Sequence, residues 1–179
     1  MEIEATERWR NARVALRLLR PEDVTEAYVS WLNDPEINRF LESRFQPQDK
    51  AGVTAFVEGM LASDRNLMLA IIDQADGRHV GNIKLGPIDR PHGLADIGII
   101  IGDRAAWGKG LGTAAIQCLV DIARDELGLR KLTAGCYASN LGSARAFEKA
   151  GFRVEVVRPA HLNLDGRFED HVLLTRFLT

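Results

Sequence analysis

The chain has 179 residues, of which 46% are hydrophobic and 27% are charged, and its formal net charge is −2. This composition excludes a disordered chain and fits one globular domain with its own hydrophobic core. The near-neutral charge does not favour nucleic acid as a partner, the polar opening residues do not resemble a secretion signal, and no apolar run is long enough to span a membrane.

The N-terminal part is predicted to contain a polar extension, a strand and two helices. Residues 1–11 are polar and charged, whereas residues 13–19 alternate polar and apolar side chains as a strand does. A first helix is expected over 21–33, since Pro21 and two acidic residues suit a first helical turn. A second helix is expected over 48–63, with an apolar face formed by Val53, Phe56, Val57, Met60 and Leu61.

The remainder of the chain alternates strands with two further helices. Strands are predicted at 66–73, 79–88, 94–101, 130–138, 152–157 and 167–178. Asp76–Gly77 predicts a hairpin turn between the first two, and helices are expected from about Thr113 to Gly128 and over 142–150. No linker or repeat interrupts residues 12–179, which predicts one α+β domain with a mostly antiparallel sheet.

The two cysteines, Cys118 and Cys136, both lie within apolar stretches. Neither has the Cys or His spacing of a metal site, so they are predicted to be buried reduced thiols. We therefore expect no bound metal and a cytoplasmic location.

A glycine-rich loop precedes the helix that begins near Thr113. Gly108, Gly110 and Gly112 alternate around the cation of Lys109. Backbone N–H groups at a helix N-terminus attract phosphate, and glycine lets the main chain approach a ligand closely. The loop therefore predicts a phosphate site, with a helix start that binds no ligand as the simpler alternative.

Two common phosphate motifs fit this loop poorly. A P-loop requires G-x-x-x-x-G-K-[ST], but Asp103 takes the place of its first glycine and Gly110 that of its Ser or Thr. Gly110, Gly112 and Ala115 match the G-x-G-x-x-G/A pattern of dinucleotide sites. However, the strand that follows lacks the acidic residue that binds the ribose, which disfavours an NAD-type oxidoreductase.

The same loop resembles the acyl-coenzyme A signature of the GCN5-related N-acetyltransferases (GNAT), [QR]-x-x-G-x-[GA]. Trp107 takes the place of the usual Gln or Arg, and "WGKGLGT" is similar to the branch that contains the ribosomal-protein alanine acetyltransferases. In this family the loop N–H groups hold the diphosphate of coenzyme A, so the resemblance implies acetyl-CoA as co-substrate. It assigns to the cofactor site Trp107, Gly108, Lys109, Gly110, Leu111, Gly112 and Thr113.

A second segment, "NLGSARAFEKAGF" (140–152), resembles another block of that family, N-x-x-[AS]-x-x-[FY]-[YF]-x-K-x-G-F. The resemblance assigns Asn140 to the pantetheine arm of the cofactor, although Asn is also a good helix N-cap. Phe147 is assigned to the same site. The likeness runs from about Leu16 to the C-terminus and implies the GNAT fold, a mostly antiparallel mixed sheet of about seven strands, splayed between strands 4 and 5 and flanked by helices.

Acetyl transfer to an amine needs a base for the ammonium and hydrogen-bond donors for the oxyanion. Relatives use backbone N–H groups where strand 4 splays from strand 5, and the corresponding residues here are Ile99, Ile100 and Ile101. The resemblance places a carboxylate base at Asp96, at the start of the same strand. His92 is a second candidate, because an imidazole titrates near neutral pH.

An acid that protonates the departing thiolate is the third requirement. Relatives often use a tyrosine at the position of Phe147, so the usual donor is absent from this sequence. Tyr137 is the preferred replacement, and Ser139, Ser143 or a water molecule are alternatives.

The segment "WLNDPEINRFLESRF" (31–45) covers the acceptor site in relatives. Trp31, Phe40 and Phe45 are therefore predicted to stack on substrate or, alternatively, to pack in the core. The predicted acceptor is a primary amine of a small molecule, such as a nucleotide-linked amino sugar. The alternatives are a protein N-terminus as acceptor and an inactive acyl-CoA-binding module. Members of the family pair through sheet edges, so a homodimer is compatible with the resemblance.

Overall fold

A single sheet forms the centre of the computed structural model, which describes residues 9–178. Its strands are β1 (Trp9–Arg10), β2 (Val14–Leu18), β3 (Leu67–Asp73), β4 (His79–Leu85), β5 (Leu94–Ile101), β6 (Lys131–Tyr137), β7 (Arg153–Leu164) and β8 (Arg167–Phe177). The strand order is β1-β2-β3-β4-β5-β6-β8-β7, and all neighbours are antiparallel except the parallel pair β5 and β6. The predicted fold is confirmed, with eight strands in the described part instead of about seven.

The helices connect these strands. They are α1 (Glu26–Asn33), α2 (Pro35–Asn38), α3 (Lys50–Ala62), α4 (Leu111–Asp121) and α5 (Leu141–Lys149). One π-helical turn, Ile122–Glu126, continues α4, and Gly128 then ends the helix with a φ of 61°. None of the helices described here is long and apolar enough to cross a membrane.

The start of the chain differs from the prediction in two places. Trp9 and Arg10, which fall in the expected polar extension, pair with β2, and the Trp9 side chain is buried. The first helix begins at Glu26, where Thr25 accepts the N–H of Tyr28 and caps the helix. The reason is that Asp23 binds the Arg20 backbone N–H and closes a separate 3-10 turn. Residues 1–8 of the expected extension lie outside the described residues.

Helices cover both faces of the sheet, because successive side chains of a strand point to opposite faces. Leu69 and Ile71 of β3 belong to the larger core cluster, which includes the buried residues of α4 and α5. Met68 and Ala70 of the same strand belong to a smaller cluster with α1 and α3. We call the second side of the sheet the α1/α3 face.

The predicted apolar face of α3 is only partly buried. Val53 and Val57 are buried against the sheet, and Met60 is packed at the edge of the same cluster. Phe56 and Leu61 are exposed, so the apolar face of α3 is wider than the part that packs on the sheet.

Both cysteines are buried free thiols, as predicted. Burial raises the pKa of the Cys118 thiol to about 12 and also raises that of Cys136. Both therefore remain protonated, unreactive thiols at neutral pH.

The parallel strands β5 and β6 separate halfway along their length. Their pairing extends only from Leu94 with Lys131 to Ile97 with Ala134, although both strands continue beyond this point. β5 stays paired with β4 as far as Ile101. The predicted splay thus lies between β5 and β6, and it leaves an opening in the middle of the sheet.

Candidate active site

A cavity of about 770 Å³ occupies this opening and extends to the start of α4. We call it the main cavity. It is bounded by the splayed halves of β5 and β6, by α4 and α5, and by the segment that follows α1. The predicted site residues on its wall are Phe40, Ile99, Ile100, Ile101, Trp107, Gly108, Gly110, Leu111, Gly112, Thr113, Tyr137, Asn140 and Phe147.

The glycine loop forms one end of the main cavity. Gly108 and Gly110 have φ values of 74° and 77°, a left-handed conformation that favours glycine. Gly110 is the N-cap of α4 and supplies no side-chain hydrogen bond, so the first N–H groups of the helix remain available to a ligand. A methyl group at Gly108 would meet nothing within 4 Å. The loop therefore has both the donors and the space that a diphosphate requires.

Two cations accompany this loop, and the sequence predicted only one of them. Lys109 does not line the cavity, and its carbonyl oxygen accepts a hydrogen bond of 2.7 Å from Arg13 Nη1. This contact holds the Arg13 guanidinium next to the backbone of Gly110. Arg13 is 96 residues away in sequence, so no local motif could have indicated it.

Trp107 fastens the glycine loop to the sheet. Its indole Nε1–H donates to the carbonyl oxygen of Ile101 at 2.8 Å, and its ring is partly exposed on the cavity wall. The Trp107 side chain therefore fixes the distance between the end of β5 and the start of α4.

The splayed half of β5 supplies backbone donors. Ile99, Ile100 and Ile101 each pair with β4 on one edge and line the main cavity on the other. Successive N–H groups of a strand point to alternate edges, so every second N–H beyond Ile97 points into the opening. β6 offers these groups no ladder partner there.

Tyr137 lies at the end of β6, and its side chain is buried on the cavity wall. Its hydroxyl donates to Glu42 Oε1 at 2.7 Å and accepts a hydrogen bond of 3.0 Å from Arg44. Burial and the Glu42 carboxylate raise the pKa of the Tyr137 phenol, so it keeps its proton at neutral pH. Phe40 packs on the ring of Tyr137, with 5.6 Å between the ring centres.

His171 of β8 also lines the main cavity, and the sequence did not indicate it. It pairs with Tyr137, and its ring lies so close to Gly135 that a methyl group at that position would overlap Nε2. Nδ1 is buried without a hydrogen-bond partner among residues 9–178. Burial and the charges of His161, whose ring stacks on His171, and of Arg158 lower the pKa of His171, whereas Glu42 raises it. The ring is therefore neutral at neutral pH.

Asp96 lies outside the main cavity wall, on the paired half of β5. Its carboxylate accepts a hydrogen bond from the Thr133 hydroxyl. The residue as a whole is exposed, but partial desolvation of its carboxyl raises the pKa, and the nearby Lys84 ammonium opposes this shift. His92, the second candidate base, is exposed in the turn before β5, and it is not on the cavity wall either.

Two residues of the second family block, Asn140 and Phe147, lie on the wall of the main cavity. Asn140 caps α5, because its Oδ1 accepts the N–H of Ser143 at 3.2 Å, and it also lines the main cavity. Phe147 is buried beside Phe152, with 5.1 Å between the ring centres. Since residue 147 is a phenylalanine, it has no hydroxyl group that could act as an acid.

The three aromatic residues predicted for the acceptor site have different surroundings. Phe40 lines the main cavity. Trp31 is buried in the core of the α1/α3 face between Tyr28 and His79, and a methyl group at Gly102 would overlap its ring. Phe45 is 59% exposed, under the guanidinium of Arg44. Trp31 and Phe45 are therefore away from the main cavity.

Comparisons with known proteins agree on one family. Residues 13–153 match the family model of the acetyltransferase (GNAT) domain. The chain is 33% identical over 166 residues to the "Probable N-acetyltransferase YjcK" of Bacillus subtilis (strain 168), which covers 87% of this chain and 91% of the relative. No group of three or more His, Cys, Asp or Glu side chains within residues 9–178 is arranged to hold a metal ion.

Solved structures show the same fold. The spermidine N-acetyltransferase from Vibrio cholerae, in complex with CoA and spermine, superposes with a TM-score of 0.83 at 20% identity and covers 94% of this chain and 97% of its own. Mycobacterium smegmatis RimJ, in complex with CoA-disulfide, superposes with a TM-score of 0.79 at 22% identity. The match covers 92% of this chain and 81% of the RimJ chain.

Proposed function

This chain belongs to the GNAT acetyltransferase family, and from that membership we propose that it moves the acetyl group of acetyl-CoA to a primary amine of a small molecule. The observation that carries the proposal is the continuity of the main cavity. A single space connects the glycine loop, which is suited to a diphosphate, with the splay, which is suited to a reacting acyl group.

The residues of the main cavity fit acetyl-CoA. The N–H groups of Gly108–Thr113 would hold the diphosphate, and Arg13 and Lys109 would balance its charge. Asn140 uses its Oδ1 as helix cap, which leaves its side-chain N–H groups for the pantetheine arm. When bound, acetyl-CoA supplies an activated thioester.

The backbone donors of β5 would stabilise the oxyanion. The N–H groups between Gly98 and Ile101 that face the splay are fixed by the β4–β5 ladder, so they need no rearrangement to donate. A preorganised donor of this kind lowers the barrier by about 3 kcal/mol. No side chain is required for this role.

The amine must lose a proton before it attacks, and we assign this step to His171. Its neutral ring lines the main cavity, and Nε2 lies beside Gly135, where the splay opens. Asp96, the base predicted from the sequence, is the rival candidate, because its raised pKa brings it closer to neutral pH. The position of His171 on the cavity wall favours it over Asp96.

Tyr137 is suited to protonate the departing thiolate. It is on the cavity wall, and its raised pKa keeps the phenol protonated and therefore able to donate its proton. Glu42 accepts the hydrogen bond of the hydroxyl at 2.7 Å and positions the phenol, whose hydroxyl turns toward the sulfur as the thiolate departs. Ser143 also lines the cavity and is the alternative donor.

The acceptor is expected to approach through the segment that follows α1. Phe40 is the aromatic residue of the predicted acceptor set that lines the main cavity. The spermidine N-acetyltransferase from Vibrio cholerae, which has the same fold, forms a complex with a small amine, spermine. A nucleotide-linked amino sugar and a protein N-terminus remain the acceptors predicted from the sequence, and cytoplasmic location and a homodimer also stay predictions.

Thiol release with a panel of amines tests the proposal against an inactive acyl-CoA-binding module. We expect acetyl-CoA to bind, at least one amine to release coenzyme A, and Tyr137→Phe to lower kcat about tenfold or more at unchanged acetyl-CoA affinity. Binding of acetyl-CoA with no turnover on any amine would favour the module. An unchanged kcat in Tyr137→Phe would exclude the assigned acid.

A further inference from the structure

A second cavity of about 260 Å³ lies on the α1/α3 face, next to the main cavity. The two share part of their walls, namely Leu41 and the β5 residues Gly98, Ile99 and Ile100. The side chains of Asp96 and Ile100 point to the α1/α3 face. Gly98 lies between them on the same face and has no side chain, so it leaves a gap there. The second cavity is thus a side chamber that reaches the splay through Gly98.

Most of its walls are apolar. They are formed by side chains from α1, α3, β3 and β5, namely Leu32, Val53, Phe56, Met68 and Ile100. A ligand group that fills this volume must therefore carry hydrocarbon surface.

Asn82 brings an unsatisfied donor to this wall. It is 1% exposed, and its Nδ2 has no partner in the described part of the chain. His79 Nε2 lies 3.0 Å from the Gly81 carbonyl oxygen and 2.9 Å from Asn82 Oδ1. Because Nε2 must donate to the carbonyl, the Asn82 atom that faces it is an oxygen. This fixes the amide orientation, and an unpartnered buried N–H group of this kind is costly unless a ligand or water accepts it.

Lys84 brings a positive charge to the same wall, two residues further along β4. It pairs across the ladder with Gly98, so its side chain lies beside the gap that leads to the splay. Burial raises the pKa of Asp96, and the charge of the Lys84 ammonium opposes this shift. Lys84 forms no ion pair with another described residue. A cation and an amide donor among apolar walls are complementary to an anion.

We infer that the acceptor is an apolar α-amino acid, whose carboxylate lies between Lys84 and Asn82 and whose side chain fills the second cavity. This inference rests on the proposed function, since it assumes that an amine reacts at the splay. The end of the Lys84 side chain lies close to Gly98, with Cε 3.9 Å from the position of a methyl group on that residue, so an amine at Gly98 and a carboxylate at Lys84 can be on the same carbon. A polyamine would instead place a second cation beside Lys84.

A matched set of three amines tests this assignment: L-methionine, L-methioninol, which lacks only the carboxylate, and spermidine. We expect the wild-type protein to prefer L-methionine to L-methioninol by about tenfold or more in kcat/KM. Lys84→Met should remove this preference and leave kcat/KM for L-methioninol within about twofold, because only the interaction with the carboxylate is lost. Lys50→Met, which removes an exposed lysine from α3, is the matched control and should keep the preference.

The outcomes separate this inference from the proposed function. Equal losses for both amines in Lys84→Met, or spermidine as the best acceptor, would overturn the inference while the acetyltransferase proposal stands. If none of the three amines releases coenzyme A, calorimetry on the coenzyme A-bound protein decides instead. Binding of L-methionine that weakens about tenfold in Lys84→Met but not in Lys50→Met supports the site, and absence of binding excludes it.

Discussion

The two cavities on either side of β5 are built from different parts of the chain. The main cavity is lined at its cofactor end by backbone groups, from the glycine loop and from the free edge of β5. The second cavity is lined by side chains from α1, α3, β3 and β4 and from the segment that follows α1. Substitution of side chains leaves the backbone groups of the first cavity in place, whereas each substitution in the second changes the shape of its wall.

This difference separates the shared task of a transferase from its choice of acceptor. Backbone N–H groups recognise a diphosphate whatever the side chains are, so one short loop suffices. The proposed acceptor site consists of Asn82, Lys84 and their apolar surroundings, which come from distant segments. His171 lies on the wall of the main cavity, beside Gly135, where the splay opens.

The largest expected effect concerns the proposed base on the main cavity wall, His171. His171→Asn should lower kcat by about a hundredfold, whereas Asp96→Asn should change it by less than about fivefold. The pKa of His171 is lowered from its ordinary value of 6.5, and only the neutral ring accepts a proton. The acidic limb of the kcat profile should therefore lie below pH 6.5 and disappear in His171→Asn.

Steady-state kinetics between pH 5 and pH 9 on both variants provide the measurement. A greater loss in Asp96→Asn than in His171→Asn would return the role of base to the residue predicted from the sequence.

An intermediate effect is expected at the glycine loop, which forms one end of the main cavity. Gly110→Ala and Gly128→Ala place a methyl group at similar left-handed backbones, with φ of 77° and 61°, at opposite ends of the same helical segment. Each should cost about 1–2 kcal/mol of unfolding free energy. Only Gly110→Ala should also weaken coenzyme A binding, by about tenfold, because it shifts the N–H groups of the loop.

Calorimetric titration with coenzyme A and denaturant unfolding distinguish the two contributions. If Gly128→Ala weakened binding as much as Gly110→Ala does, the loss would reflect helix stability, and the glycine loop would not be the diphosphate site.

The smallest expected effect is a pH dependence of protein stability at His79, whose ring contacts Asn82 of the second cavity. Burial lowers the pKa of His79, and hydrogen bonds to Asn82 and Gly81 and the charge of Asp23 oppose the shift. Since the folded-state pKa lies below the unfolded value, this stability is fully present above pH 6.5 and is lost as the pH falls toward the folded-state pKa. Between pH 7.5 and 5.5 the unfolding free energy should fall by about 1 kcal/mol or less.

Urea unfolding of wild-type protein and of His79→Gln at the two pH values measures this term. The variant should show a smaller fall than the wild type, and an equal fall in both would assign the dependence to another group, such as His171.

The sequence by itself was sufficient for the fold and for the conformation of the glycine loop at the start of α4. Gly108, Gly110 and the helix that follows are contiguous, and the backbone conformation that glycine permits is a local property. Strand alternation and the Asp76–Gly77 turn likewise depend on neighbouring residues, so β3 and β4 lie close to their predicted bounds.

Only the tertiary structure decided which side chains meet. Arg13 reaches the glycine loop from 96 residues away, and His171 reaches the splay because Gly135, on the neighbouring strand, leaves room for its ring. Trp31, in contrast, is part of the core, because the close approach of Gly102 encloses its ring. A residue type determines which chemistry a side chain can perform, but its partners and its solvation are set by strand pairing and packing across the whole chain.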